Sequence, residues 1–323
     1  MLISIIIPAY NAEKYIWECL ESVKACQSDK IECIIVNDGS LDGTKEICES
    51  FLSDSRFRLI NKENSGVSDT RNIGMAEAAG EYLFFLDADD YIKAGSWEEI
   101  LACAAEKEYD MIAFGYYSLF DNGKIAAEGF PDSQDMYDTK LMMLSTSMMN
   151  NCWGKLLRRK VIQENDLRYD NNLKTGEDAV FMIDFVEHSK KSQLRSTCVL
   201  YYRIHANSTM RKASPNEKLA DFSVLFNRRN AYLDANNDET LAHAMRRMHF
   251  SCITDLFRAY AKSCKIWDVR QSYIMIIKNA VVSTILSEIK SVQLPLYKKL
   301  EYILIKHKFY TCLSIYFKIK SYF

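Results

Sequence analysis

Tyr82-Leu83-Phe84-Phe85-Leu86-Asp87-Ala88-Asp89-Asp90 sets an apolar run directly against a cluster of carboxylates. Such a run, closed by turn-forming residues, is the pattern of a strand buried on both faces, as in a parallel sheet. Toward the N-terminus the same pattern occurs twice more, and a third strand follows them. Residues 2–7 are apolar and end at Pro8-Ala9-Tyr10-Asn11; residues 31–36 end at Asn37-Asp38-Gly39-Ser40; residues 56–60 run into a polar loop over 61–66. Helical segments fill the intervals. Asn11 can cap the first, whose Ile16, Leu20 and Val23 share a face; a second covers about 43–52; a third covers 67–79 and is stopped by Gly80. Strand and helix alternating with short connections predict an α/β fold, a mostly parallel central sheet with helices on both faces. Ligands of such sheets bind at the carboxyl ends of the strands, so the loops carrying Tyr10, Asp38 and Asp87 to Asp90 are expected on one rim.

Composition narrows the function classes. The chain has 323 residues, 48% of them hydrophobic, with only 4 Pro and 11 Gly, which excludes disorder and collagen-like architecture. A net charge of -2 excludes a nucleic-acid binder held by bulk charge. No apolar stretch reaches the roughly 18 residues of a membrane span, and the N-terminus lacks a basic leader. The ten Cys form no C-x-x-C and no zinc spacing, so they read as buried hydrophobes of a reducing compartment, the cytoplasm. No G-x-G-x-x-G follows the first strand and no G-x-x-x-x-G-K-[ST] is present, which disfavours dinucleotide and P-loop sites.

Asp87, Asp89 and Asp90 carry the sharpest chemical signal. Carboxylates this close repel, and a divalent cation relieves the repulsion; hard oxygen ligands suit Mg²⁺ or Mn²⁺, which take substrate phosphates as further ligands. A solvated acidic turn explains the tetrapeptide equally well. A haloacid-type phosphatase needs Thr or Val two places after its second Asp, where this chain has Tyr91. Asp38 is placed to accept from a nucleobase N–H or to close an Asx-turn. Arg71 is placed to stack on a base, to hold phosphate, or to make an ordinary ion pair. Glu177-Asp178 opens an amphipathic helix and reads, by composition alone, as an acid-rich helix start.

Taken in order, Ser4 to Asn11, Val36 to Thr44, Gly66 with Arg71-Asn72 and Gly74, and Gly80 to Asp90 resemble glycosyltransferase family 2. The likeness resumes at Trp153-Gly154-Lys155-Leu156, at Gly176 to Phe181, and at Tyr201-Tyr202-Arg203, His205 and Ser208; about the last 110 residues lie outside it. The resemblance implies the GT-A nucleotide-sugar-binding fold and inverting transfer from a nucleotide-sugar. Pro8, Ala9 and Tyr10 would flank base and ribose, and Asp38 would read the base edge, favouring uracil and hence a UDP-sugar. Arg71 would support the base or diphosphate, and Asp87 would lie near ribose and metal. Asp89 would ligate Mn²⁺ or Mg²⁺, with Asp90 orienting the loop. Asp178 would be the general base with Glu177 beside it, Arg203 and Ser208 would face the diphosphate, and His205 would add a metal or phosphate contact. The helix N-terminus is expected to keep Asp178 ionised. With no Q-x-x-R-W, the chain is expected to add a single hexosyl or N-acetylhexosaminyl unit to a glycan or lipid-linked acceptor in surface polysaccharide assembly. A non-catalytic nucleotide-sugar-binding scaffold and a metal-dependent nucleotidyltransferase or phosphatase are the alternatives.

The expected organisation is a catalytic domain over 1–212, split into a nucleotide-sugar half (1–110) and an acceptor half (111–212), and a helical domain over 213–323. In the acceptor half, residues 111–119 read as a strand, 121–124 as a hairpin turn, and the Met-rich 138–150 and Trp153 as core or acceptor surface. Helices are expected over 217–236, 238–265 and 268–290. The tail from 289 holds seven Lys against one Glu among many aromatics. That composition suits peripheral association with the inner membrane face, a helical cap, or a homo-oligomer contact.

Overall fold

The computed structural model describes residues 1–205, 215–263, 266–289 and 294–320. Its first part runs β1 (Ile3–Ala9), α1 (Ile16–Lys24), β2 (Ile31–Asp38), α2 (Thr44–Ser50), β3 (Phe57–Lys62), α3 (Val67–Glu77) and β4 (Tyr82–Phe85). Ile3, Ile5, Ile6 and Ile7 of β1 have no exposed surface, nor do Leu83, Phe84 and Phe85 of β4. Burial on both faces is why these runs show no alternation. Parallel register sets Ile6 beside Phe85 and Ala9 beside Asn37, so the carboxyl ends of β1, β2 and β4 finish together. Gly80 makes the close packing possible. A Cβ there would come within 2.5 Å of the Ser4 amide nitrogen, and Gly80 N–H donates to Ser4 Oγ at 2.7 Å.

Next come β5 (Tyr91–Ile92), α4 (Trp97–Glu106), β6 (Met111–Phe120), β7 (Ile125–Glu128), α5 (Met136–Ser145), β8 (Lys155–Arg158), α6 (Arg159–Glu164), α7 (Glu177–His188) and β9 (Ser192–Ile204). Among the described residues all nine strands join one sheet in the order β3-β2-β1-β4-β8-β6-β9-β5, with β7 paired to β6. The sheet is parallel from β3 to β4. Beyond that it is mixed: β8 runs antiparallel to both β4 and β6, β9 is parallel to β6, and β5 is antiparallel to β9.

The helices that follow are α8 (Pro215–Asn236), α9 (Glu239–Ser263), α10 (Ile266–Lys278), α11 (Ala280–Glu288), α12 (Leu296–Lys306) and α13 (Tyr310–Lys320). Two compact units result. One comprises Met1–Lys140, Met149–Leu173 and Glu177–Arg211 and contains the whole sheet; the other comprises Leu141–Met148, Lys174–Gly176 and Lys212–Phe323. Phe250, Ile253, Phe257, Tyr273, Ile276 and Leu313 are fully buried in the core of the second.

Two local expectations change. Asn11 does not cap α1. It takes a left-handed conformation (φ 47°) and its Oδ1 accepts from the Leu41 amide at 2.8 Å, joining the two loops at the rim. The single helix expected over 268–290 is two, because the Asn279 side chain accepts from the amides of Val281 and Val282 and starts α11 afresh. No helix of the described residues is long and apolar enough to cross a membrane.

Candidate active site

The rim at the strand ends holds the first predicted group. Ala9 is buried and Pro8 half-buried, while Tyr10 projects with 49% of its surface exposed. Asp38 is buried at the end of β2. Its Oδ1 accepts from Ser65 N–H at 2.9 Å and from Lys62 Nζ, and its Oδ2 accepts from Gly66 N–H at 3.0 Å. Asp38 therefore ties the loop before α3 to the sheet, and Gly66 makes this possible at φ 97°. A carboxylate has about four acceptor positions, so capacity for a further donor remains.

Arg71 stands at the centre of the site. It is 3% exposed, and its fork closes on three acids from two places in the chain. Nη1 lies 2.7 Å from Asp178 Oδ1 and 3.3 Å from Glu177 Oε1, and Nη2 lies 3.0 Å from Asp87 Oδ1. The guanidinium meets these carboxylates because α3 delivers it between the end of β4 and the start of α7. Its face lies over Tyr169, 5.4 Å from the ring centroid, and Tyr169 stacks on Phe181 at 4.2 Å. The Cys152 thiol donates to Asp178 Oδ1 at 3.5 Å.

Burial pushes the Asp178 carboxyl above its usual range, and the Arg71 charge acts against that shift. Desolvation is the largest influence on Asp178, and the main opposing charge is Arg71. Glu177 is raised to about 7 by burial and by the neighbouring Asp178 charge, with Arg71 again opposing.

The acidic turn forms the other side. Asp89 Oδ2 lies 2.8 Å from His205 Nε2, and the His205 ring stacks on Tyr15 at 5.1 Å. Asp90 is 1% exposed; its Oδ1 accepts from Arg203 N–H at 2.8 Å and its Oδ2 has no hydrogen-bond partner. Burial, then the Asp89 and Asp87 charges, hold the Asp90 carboxyl well above the usual range. Asp89 is raised by burial and Asp87, with His205 opposing. The Arg203 guanidinium lies 4.8 Å from the Tyr91 ring and 5.1 Å from the Tyr15 ring and pairs with Glu18. Ser208 lies outside the described residues.

Among the described residues no three His, Cys, Asp or Glu side chains converge on a complete metal shell. Asp89 and His205 supply two adjacent donors, one hard oxygen and one imidazole. That pair fits Mg²⁺ or Mn²⁺, which bind through one or two protein ligands and complete their coordination with substrate phosphates and water. Asp87 has one oxygen engaged by Arg71.

Several site residues had not been singled out. Asn72 exchanges two hydrogen bonds with the Tyr169 backbone, both 2.9 Å, and so pins Tyr169 beside Arg71. Asn72 lies within a quoted motif and Cys152 directly precedes one, and this placement was the available signal. Lys155 is buried, donates to Asn151 Oδ1 at 2.6 Å, and is pulled down to about 7 by burial. Trp153 is 6% exposed, stacked on Tyr202 at 4.8 Å and edge-on to Tyr116 at 4.7 Å, so it is a core ring.

Comparison with known proteins bears on this constellation. The profile described as "Glycosyl transferase family 2" matches residues 4–165. EpsH of Bacillus subtilis (strain 168) is 32% identical over 244 residues, covering 73% of this chain and 70% of EpsH. The poly(ribitol-phosphate) beta-N-acetylglucosaminyltransferase TarS of Staphylococcus aureus (strain Mu50) is 27% identical over 266 residues, 78% of this chain and 44% of TarS. The matches span less than two thirds of most of the other relatives compared. The crystal structure of S. aureus TarS 1-349 in complex with UDP-GlcNAc superposes with a TM-score of 0.75 at 20% identity, over 99% of this chain and 92% of that one. A profile spanning half of the sequence, a relative matched over more than two thirds of its length, and a shared GT-A architecture lead to one conclusion: the chain belongs to glycosyltransferase family 2 and is a glycosyltransferase.

Proposed function

We propose that this glycosyltransferase moves one hexosyl or N-acetylhexosaminyl unit from a UDP-sugar to a hydroxyl of a glycan or lipid-linked acceptor, with inversion, in assembly of a bacterial surface polysaccharide. The observation that carries this is the Arg71 bridge, which joins Asp87 of the nucleotide-sugar rim to Asp178 of α7 in one buried network. The UDP-GlcNAc bound by TarS and the activity in the name of TarS support the donor class. Pro8, Ala9, Tyr10 and Asp38 would receive uridine, with Arg203 and Ser208 toward the diphosphate. The catalytic domain would cover 1–212 and the helical domain 213–323.

As the glycosidic bond breaks, negative charge grows on the departing diphosphate. Asp89 and His205 would hold Mn²⁺ or Mg²⁺, which when bound offsets that charge. On the opposite face of the sugar the acceptor hydroxyl loses its proton as it attacks. Asp178 Oδ1 is engaged by Arg71 and Cys152, which leaves Oδ2 to accept that proton. Arg71 opposes the cost of burying the base and engages one of its oxygens, which leaves the other to face the substrate. A single base predicts a single displacement, hence inversion.

The test is nucleotide release from a panel of UDP-sugars and GDP-sugars, with Mn²⁺ and after chelation. UDP release that needs the cation and rises with a glycan acceptor is expected. A chain that binds UDP yet turns over no donor would instead be a nucleotide-sugar-binding scaffold.

A further inference from the structure

Helix α12 buries polar groups beside its apolar contacts and leaves apolar side chains outside. Its buried side holds Lys298 (8% exposed), Glu301 (0%), Tyr302 (7%) and Ile305 (2%). Lys298 Nζ lies 3.0 Å from Glu301 Oε2 and 2.5 Å from Thr254 Oγ1, and Tyr302 donates to the Ile289 carbonyl at 3.2 Å. Its outer side carries Leu296 (83% exposed), Leu300 (48%) and Ile303 (45%). The spacing i, i+4, i+7 puts these three on one helical face. Scattered exposed leucines mean little, but a row of three on one exposed helical face is an exposed apolar stripe.

The charge around the stripe is of one sign. Lys299 is half-buried on its flank, Lys306, His307 and Lys308 are exposed at its end, and Phe309 beyond them is 54% exposed. Glu301 is the only acidic residue from 289 onward, and it is turned inward. A two-fold contact between copies would set this cationic face against itself, which like-charge repulsion disfavours. A surface that is apolar inside and negative at its edge satisfies both features. An anionic phospholipid bilayer is such a surface: apolar side chains enter the headgroup–acyl boundary while lysine stems reach up to the phosphates. At 11 residues, α12 can lie in the interface but cannot span it.

We propose that this face is a membrane-docking surface, with Leu296, Leu300 and Ile303 inserted at the headgroup level of an anionic bilayer and Lys299, Lys306 and Lys308 paired with lipid phosphates. The proposal is independent of the catalytic assignment.

Co-sedimentation of the full chain with vesicles tests it, using phosphatidylcholine alone and phosphatidylcholine mixed with phosphatidylglycerol. Binding to the mixed vesicles, weak binding to the neutral ones, and release by raised salt are expected. The triple variant Lys299→Ser, Lys306→Ser, Lys308→Ser should lose about 100-fold in partitioning, since each surface lysine contributes about fivefold. The triple variant Leu296→Ser, Leu300→Ser, Ile303→Ser should lose at least about tenfold. These side chains lie on or near the surface, and unchanged melting curves would show that both variants fold. Failure of the wild-type chain to bind mixed vesicles, or binding by both variants equal to that of the wild-type chain, overturns the proposal. So does a solution dimer that the apolar variant dissociates while vesicle binding stays unchanged, a result that would assign the face to a second copy of the chain.

Discussion

Replacing Arg71 by Met tests the central network most severely. Methionine keeps much of the volume and removes the charge, leaving Asp87, Glu177 and Asp178 without the guanidinium that now lies within 3.3 Å of each. Removing one partner of a buried ion pair costs about 3–5 kcal/mol, a large share of an ordinary domain's stability. The loss should depend on pH in a definite direction. Without Arg71 the already raised Asp178 and Glu177 carboxyls rise further. Ionising them then costs more, so the deficit is greatest near about pH 8 and shrinks as acid protonates them. Urea unfolding of wild type and variant across pH would show this, and the acid limb of the pH–rate profile should move upward together with it. Arg71→Lys, which keeps a charge but cannot fork between two acids, should fall between the two. Superimposable unfolding curves near pH 8 and an unmoved acid limb for Arg71→Met would refute the reasoning.

Three further outcomes are expected. Glu177 has a folded value of about 7 against an ordinary 4.5, so the folded chain holds a proton that the unfolded chain has released, and stability falls as pH climbs between those values; Glu177→Gln should flatten that slope in urea midpoints, and an unchanged slope would dismiss the assignment. His205→Ala should weaken Mn²⁺-dependent UDP binding by about tenfold or more in calorimetry while leaving metal-free binding alone. Gly80→Ala places a methyl within 2.5 Å of the Ser4 nitrogen, and it should lower stability by about 3 kcal/mol in thermal melts.

β1, β2 and β4 were legible because each is buried on both faces, and an apolar run of that kind ends where its polar loop begins. The prediction through Leu86 and the observed end of β4 at Phe85 differ by one residue. Past Asp90 the alternation fails. β5 has only two residues, and β9 carries bulges and several half-exposed positions, so neither gives a clean period. In the site, the rim residues could be read from their loops. The partners of Arg71 could not, since Asp178 lies 107 positions away and only packing brings it near. Tyr169 was invisible for the same reason. The composition of the tail did not say which side of α12 is inside, because burial of Lys298 rests on its pairing with Glu301 and Thr254.

The most direct measurement compares Asp178→Asn with the wild-type chain in two assays at once, Mn²⁺-dependent UDP binding and turnover of the best UDP-sugar with acceptor. Asparagine keeps the shape but cannot take a proton, so binding should hold while turnover drops about 100- to 10,000-fold. Full turnover by the variant would contradict the account.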